Sequence, residues 1–146
     1  MQETFISTTV EETYEFGKKL ASIASPGEIY LLTGDLGTGK TVFTKGFAAG
    51  LGVREYITSP TFNIIKEYHS GRLPLYHFDL YRLSDEDELY VIGADEYWNS
   101  DGVCVIEWAD MFPDIVWENA VSIEIKKDLS NGPDCRIITV SGGKEC

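Results

Sequence analysis

The stretch GDLGTGKT, residues 34–41, constrains this chain more than any other. It matches G-x-x-x-x-G-K-[ST] at every fixed position. Its flanks are those the pattern requires. EIYLLT (28–33) is a continuous apolar run of the kind that forms a strand buried on both faces. A helical stretch follows from residue 40 to about residue 50, with Phe43, Phe47 and Leu51 on one face and Gly52 placed to cap its end. Strand, glycine loop and helix predict a phosphate-binding P-loop. Gly34, Gly37 and Gly39 let the backbone curl so that successive N–H groups point inward. Asp35, Leu36 and Thr38 complete the cradle, and the helix N-terminus adds partial positive charge. Lys40 is placed to reach the β- and γ-phosphates of a bound triphosphate, and the Thr41 hydroxyl to ligate Mg²⁺.

The rest of the chain predicts a sheet around this loop. ETFIS (3–7) is a short strand candidate. Thr8-x-x-Glu11 and Thr9-x-x-Glu12 each offer a capping box. Val10, Tyr14, Gly17, Ala21 and Ala24 then recur at helical spacing, and Pro26-Gly27 ends the helix. NIIKEYH (63–69) and RLPLYHFD (72–79) flank Ser70-Gly71 and read as a hairpin. SDEDELYVIG (84–93) reads as a short acidic helix capped by Ser84. VCVIE (103–107) is a second buried strand, and VSIEIK (121–126) and RIITV (136–140) alternate as an antiparallel pair. The expected fold class is α/β: a single P-loop NTPase domain over 1–146, with a mixed, mainly parallel sheet, helices on its faces and a β-hairpin insertion.

Phosphate chemistry also needs an acid near the metal, and such an acid usually ends a buried strand at the carboxyl edge of the sheet. Glu107 ends VCVIE and Asp79 ends LPLYHFD. The pair divides into a metal ligand and a group that orients or deprotonates water, in either order. Lys40, Asp79 and Glu107 are the candidate catalytic residues. His77 and Tyr81 flank Asp79 at spacing two and share its face if the strand continues, where they would orient it or stand as polar neighbours. Trp108 either faces away from Glu107 or lines the rim of the site. Arg54, Arg72, Arg82 and Arg136 are scattered, with no arginine-rich lid of the kind a small-molecule kinase carries.

Composition excludes other classes. Hydrophobic residues at 43% and aromatics at 12% rule out disorder, and no apolar run reaches membrane-spanning length. A net charge of −12 argues against direct nucleic-acid binding, because phosphates are held by displacing counterions with Lys and Arg. The pairs Lys18-Lys19 and Lys126-Lys127 read as solvated surface. Three cysteines, Cys104, Cys135 and Cys146, form neither a disulfide framework nor a zinc site, and Cys104 reads as strand filler. MQETFISTTVEETYEF has no basic start followed by an apolar core, so the expectation is a reduced, cytoplasmic protein.

GDLGTGKT, SPTF (59–62), YHFDLYRL (76–83) and VIEWAD (105–110), in this order and spacing, closely resemble the bacterial TsaE family. The match runs from about residue 8 to about residue 110 and thins beyond it. The resemblance implies an ATPase needed to form N6-threonylcarbamoyladenosine beside the anticodon of tRNA. It would bind a TsaB–TsaD pair that performs the transfer, and its ATP hydrolysis would support repeated turnover. An acidic chain suits a basic, tRNA-handling partner, and tRNA would be met only through that complex. Carried over by position, Thr41 and Glu107 match the family's Mg²⁺ ligands, and Gly37 through Thr41 its phosphate cradle. Asp79 matches the acid important for hydrolysis. Ser59, Pro60, Thr61 and Phe62 match a nucleotide-sensing switch in which Thr61 could feel the γ-phosphate or its metal, or else form a rigid connector with Phe62 as a core plug. Tyr81, Arg82 and Trp108 are partner or switch candidates. The first helix, with Thr8 or Thr9 at its cap, resembles the adenine-side element, with Arg136 nearby. Thr38 stands where Ala is common, and its side chain can point outward without touching the loop's N–H cradle.

Two other classes remain open on the residues alone: a small-molecule kinase, and a nucleotide-gated binding module with negligible turnover. ATP over GTP follows from the resemblance and from the lack of an N-K-x-D base-reading motif.

Overall fold

A computed structural model describes residues 2–35, 37–58, 60, 64–81, 83–115, 117 and 119–142. Its elements, in chain order, are β1 (Gln2–Ser7), α1 (Val10–Ser22), β2 (Ile29–Thr33), α2 (Lys40–Leu51), β3 (Ile65–Tyr68), β4 (Leu75–Asp79), α3 (Asp87–Val91), α4 (Ala94–Trp98), β5 (Val103–Glu107), β6 (Val121–Lys127) and β7 (Arg136–Gly142). The seven strands form one sheet in the order β1-β7-β6-β2-β5-β4-β3. No helix among the described residues is long and apolar enough to cross a membrane.

The sheet is evenly mixed rather than mainly parallel. β2 is parallel to both β5 and β6, and β4 is parallel to β5. The other three pairings, β1 with β7, β6 with β7 and β3 with β4, are antiparallel. Short connections impose this on the two consecutive pairs, β3 with β4 and β6 with β7, since a parallel return needs a crossover of a dozen or more residues. The β3–β4 hairpin is likewise not an insertion. β4 is an integral strand beside β5, and only β3 is added at the edge. The hairpin connection is also longer than Ser70-Gly71, because residues 72–74 lie outside β4.

Alternating side chains sort the core into two layers. On one face Leu32, Val103, Val105, Ile123 and Ile125 pack with Phe43, Phe47 and Leu51 of α2 and Ala21 of α1. On the other, Phe78, Cys104 and Ile106 pack with Leu89 of α3 and Ala94 of α4. Cys104 is strand filler as expected, and burial pushes its thiol up to about 12. Cys104 and Cys135 are free thiols; Cys146 lies outside the described residues.

Helix α1 uses both threonines at its start. Thr9 is the N-cap and accepts the Glu12 backbone N–H at 3.0 Å, while the Glu12 carboxylate turns back to the Thr8 hydroxyl. Arg72 closes the far end by donating to the carbonyls of Ala21 and Ala24, both at 2.8 Å. Helix α3 begins three residues later than Ser84. No side chain caps it from Glu86, and the Asp85 carboxylate takes the Asp87 backbone N–H instead.

Helices α1 and α2 meet backbone to backbone. A Cβ on Gly17 would lie 2.4 Å from the Phe43 carbonyl oxygen, and one on Gly46 only 2.0 Å from that of Tyr14. This contact fixes α2, and therefore the loop that leads into it. Alanine favours a helix interior over glycine by up to about 1 kcal/mol. At Gly46 the added methyl meets main chain that no rotamer change can clear, at an overpacking cost of about 1–3 kcal/mol. Gly46→Ala is therefore expected to lower the urea midpoint. An unchanged or raised midpoint would mean that the two helices are free to separate.

Candidate functional site

The site lies at the carboxyl edge of the parallel strands. β2 delivers the glycine loop there, β5 delivers Glu107 and β4 delivers Asp79. Asp79 and Glu107 are partners in the parallel register, so their side chains leave the same face of the sheet. That is the face covered by α1 and α2. Neighbouring strands lie about 4.8 Å apart, so the two carboxylates flank one another beneath the loop.

The loop's backbone has the predicted character. Gly34, Gly37 and Gly39 all have positive φ, at 154°, 79° and 106°. At Gly34 the lack of a side chain is also steric, since a Cβ would meet the Ile125 carbonyl oxygen at 2.7 Å. Gly39 occupies the N-cap of α2 and no side chain caps that helix, so its first-turn N–H groups face the loop without a protein acceptor at the cap. Thr38 does not point outward. Its side chain is buried, and its hydroxyl donates to the Asp35 carbonyl at 2.9 Å. The hydroxyl thus closes the loop on itself, which alanine could not do.

Lys40 is buried with its ammonium turned toward Glu107, 3.9 Å from Oε1, and 4.0 Å from the centroid of the Trp108 ring. Trp108 lines the rim. Its φ of 63° is unusual for a bulky residue, and this left-handed turn swings the chain away directly after Glu107. The ring then sits between Lys40 and exposed Tyr81, whose centroid is 5.0 Å away. Thr41 is exposed at the start of α2.

Asp79 is partly buried and accepts the Tyr81 backbone N–H at 3.0 Å. Desolvation pushes its pKa up; the Tyr81 N–H opposes that, and the neighbouring Glu107 charge adds to it. His77 does not orient Asp79. Its Nε2 lies 2.6 Å from Oε2 of Glu107, deep in the protein. Tyr81 lies past the end of the strand and does not share its face.

A cavity of about 500 Å³ opens between the loop, Lys40, Trp108 and the end of β6 at Ile125 and Lys127. That volume is in the range of small-molecule sites. Lys127 is exposed, as the sequence predicts, but it stands beside the loop. Its Nζ lies 3.5 Å from where a Gly37 Cβ would stand, whereas Lys126 pairs with Glu124 on the surface at 3.5 Å. Nothing local marks Lys127; it matters because β6 runs parallel beside β2 and so ends at the loop. Arg136 also reaches the loop, but from behind, donating from Nε to the Thr38 carbonyl at 2.7 Å. Thr9 is engaged in capping α1, whose Thr13 methyl lies 4.0 Å from the Gly39 Cβ position.

Pro60 is buried. The segment before it is held by β3, through Lys66 to the Thr58 hydroxyl and through Tyr68 to the Thr58 carbonyl. Leu36, Ser59, Thr61, Phe62 and Arg82 lie outside the described residues.

The donor set fits a hard divalent cation. Mg²⁺ favours oxygen ligands and takes one or two from protein, the rest from water and phosphate. Thr41 and Glu107 supply such oxygens. Among the described residues no group of three or more His, Cys, Asp or Glu is placed to enclose a metal by itself.

Comparison with known proteins bears on this geometry. The family model for "Threonylcarbamoyl adenosine biosynthesis protein TsaE" matches residues 7–136. A Bacillus subtilis protein named tRNA threonylcarbamoyladenosine biosynthesis protein TsaE is 50% identical over 129 residues, covering 88% of this chain and 78% of that protein. A Treponema pallidum protein of the same name is 41% identical over 121 residues, covering 83% and 89%. The crystal structure of Bacillus subtilis YdiB superposes with a TM-score of 0.83 at 41% identity, over 99% of this chain and 87% of that one.

The raised pKa of Asp79 has a consequence for stability. A carboxyl whose pKa is higher folded than unfolded favours the fold while protonated and loses that contribution as pH rises through the folded value. Asparagine mimics the protonated form at every pH. Asp79→Asn should therefore melt above the parent at neutral pH, and the difference should fade as pH falls toward the unfolded carboxyl value of about 3.9. A variant less stable than the parent at pH 7 would show that ionised Asp79 is stabilised, not strained, by its surroundings.

Proposed function

The chain belongs to the TsaE family of threonylcarbamoyladenosine biosynthesis proteins, and from that premise we propose that it is an ATP-binding and -hydrolysing accessory protein for forming the N6-threonylcarbamoyl group on tRNA adenosine. It acts with a TsaB–TsaD-like pair, which carries out the transfer, and supports that pair's turnover. The observation that carries this reading is the convergence of an uncapped helix N-terminus, a buried lysine and two strand-end carboxylates on one side of a glycine loop.

Each group has a role that its surroundings support. The loop N–H groups and Lys40 bind the phosphates of ATP, with Lys40 moving from Glu107 and Trp108 toward them. Thr41 and Glu107 would hold Mg²⁺, which when bound would neutralise charge on the phosphate oxygens. Asp79 takes a proton from water at its carboxylate, and its upward-shifted pKa makes it a better base than an ordinary aspartate. Trp108 and Tyr81 shield the mouth of the site and offer an aromatic surface to a partner. The kinase reading gains no support from Arg72 and Arg136, which are both engaged by backbone carbonyls; Arg82 lies outside the described residues.

Steady-state ATP hydrolysis, with and without a purified TsaB–TsaD pair, tests the proposal. Turnover by the protein alone should be slow and should change strongly when the pair is added. Asp79→Ala and Glu107→Ala should each lower pair-dependent turnover by about 10²-fold or more. Turnover indifferent to the pair, or phosphate transfer to a metabolite well above hydrolysis, would overturn it.

A further inference from the structure

We propose that His77 is the positioning residue for Glu107: its Nε2–H holds Oε2 of the carboxylate, so that Oε1 alone is presented to a cation in the site. The inference rests on the metal-ligand role given to Glu107 above.

The two oxygens of Glu107 have separate partners. Oε2 meets His77 Nε2 at 2.6 Å, and Oε1 faces the Lys40 ammonium at 3.9 Å. A carboxylate oxygen only accepts, so Nε2 carries the proton in this bond. The arrangement follows from register. His77 pairs with Val105 and Asp79 with Glu107, so His77 stands two residues behind the acid pair on the same face. From there its ring reaches forward to the neighbouring strand's carboxylate, while Asp79 turns to the Tyr81 backbone.

A purely structural histidine fits these facts poorly. His77 is 1% exposed and sits on the face that carries Leu75, Val103 and Val105. Its Nδ1 has no partner among the described residues. An aliphatic side chain would fill the position without burying an unpaired nitrogen. The one polar bond the imidazole makes goes to the carboxylate assigned to the metal. Hydrogen-bond partners behind a ligand set its orientation, and their loss typically costs 10–100-fold in metal affinity.

Asparagine and glutamine separate the bond from the packing, because the asparagine amide falls short at the Nδ1 position while that of glutamine extends to Nε2. The experiment is binding of a non-hydrolysable ATP analogue to the intact protein, titrated with Mg²⁺ and repeated in EDTA, for the parent, His77→Asn, His77→Gln and Glu107→Gln. His77→Asn should need about 10–100-fold more Mg²⁺ for the same gain in binding. His77→Gln should recover most of that loss, and binding in EDTA should match the parent for both. Equal behaviour of the two variants, whether both like the parent or both impaired, would overturn the positioning role. So would loss of EDTA binding in step with Mg²⁺ response. Glu107→Gln distinguishes the failures. If it loses the Mg²⁺ response while His77→Asn keeps it, only the positioning role falls. If it keeps the response, the metal-ligand reading itself falls.

Discussion

Parallel pairing of β2 with β5 on one side and β6 on the other places nearly every polar group of consequence in this molecule. Parallel strands end together, and their carboxyl ends form one edge to which loops, side chains and helix N-termini all point. Glu107 ends β5, Asp79 ends β4, Lys127 ends β6, and the glycine loop leaves β2. No local propensity would gather those four segments, which lie as far apart as residues 34 and 127. The antiparallel strands β1, β3 and β7 extend the sheet at its margins without disturbing that edge.

The glycine contact between α1 and α2 then sets how deep the loop sits. Because main chain meets main chain at Gly17 and Gly46, α2 lies hard against α1, and Lys40 opens that helix. Its ammonium is buried, which is costly for a charge without a partner. Glu107 and the face of Trp108 offset that cost. The left-handed conformation of Trp108 belongs to the same arrangement, since it brings the ring beneath Lys40 immediately after the strand that carries Glu107. Strain of this kind persists where surrounding packing over-determines it, commonly at functional sites.

What the sequence made legible follows the range of the physics involved. β5 and α2 were read to within a residue or so, because a buried strand is a continuous apolar run and a glycine loop fixes the helix start. The acid pair was legible for the same reason, as each carboxylate ends such a run. Where structure and sequence differ, the deciding partner is either on a distant segment or is created only by the local fold of the chain. Sheet order is not legible in the sequence, so the pattern predicts a mainly parallel sheet; Lys127 is exposed, as its sequence predicts, and only the strand order shows that it ends beside the loop. An outward Thr38 is open in the sequence because the acceptor for its hydroxyl, the Asp35 carbonyl, is exposed only once the loop has curled. The sequence leaves His77 either orienting Asp79 or standing as a polar neighbour of it, whereas its partner is 30 residues away on the next strand. Ser84 lost the cap to Asp85, a competition between adjacent carboxylate and hydroxyl acceptors that a motif pattern does not resolve.

The same edge explains how an acidic chain could hold the polyphosphate proposed for it. With a formal charge of −12 the molecule as a whole repels phosphate, and Asp35, Asp110 and Glu124 stand at the cavity itself. Attraction must therefore be local: loop N–H groups, a helix N-terminus and two lysines, acting at short range where screening is weakest. A divalent cation held by Glu107 would add the largest local positive charge and would reverse the sign of that carboxylate's contribution. Oε1 of Glu107 faces the Lys40 ammonium at 3.9 Å, so the carboxylate and the phosphates of the proposed ligand draw on one cation, and a divalent ion at Glu107 would leave that ammonium to the phosphates.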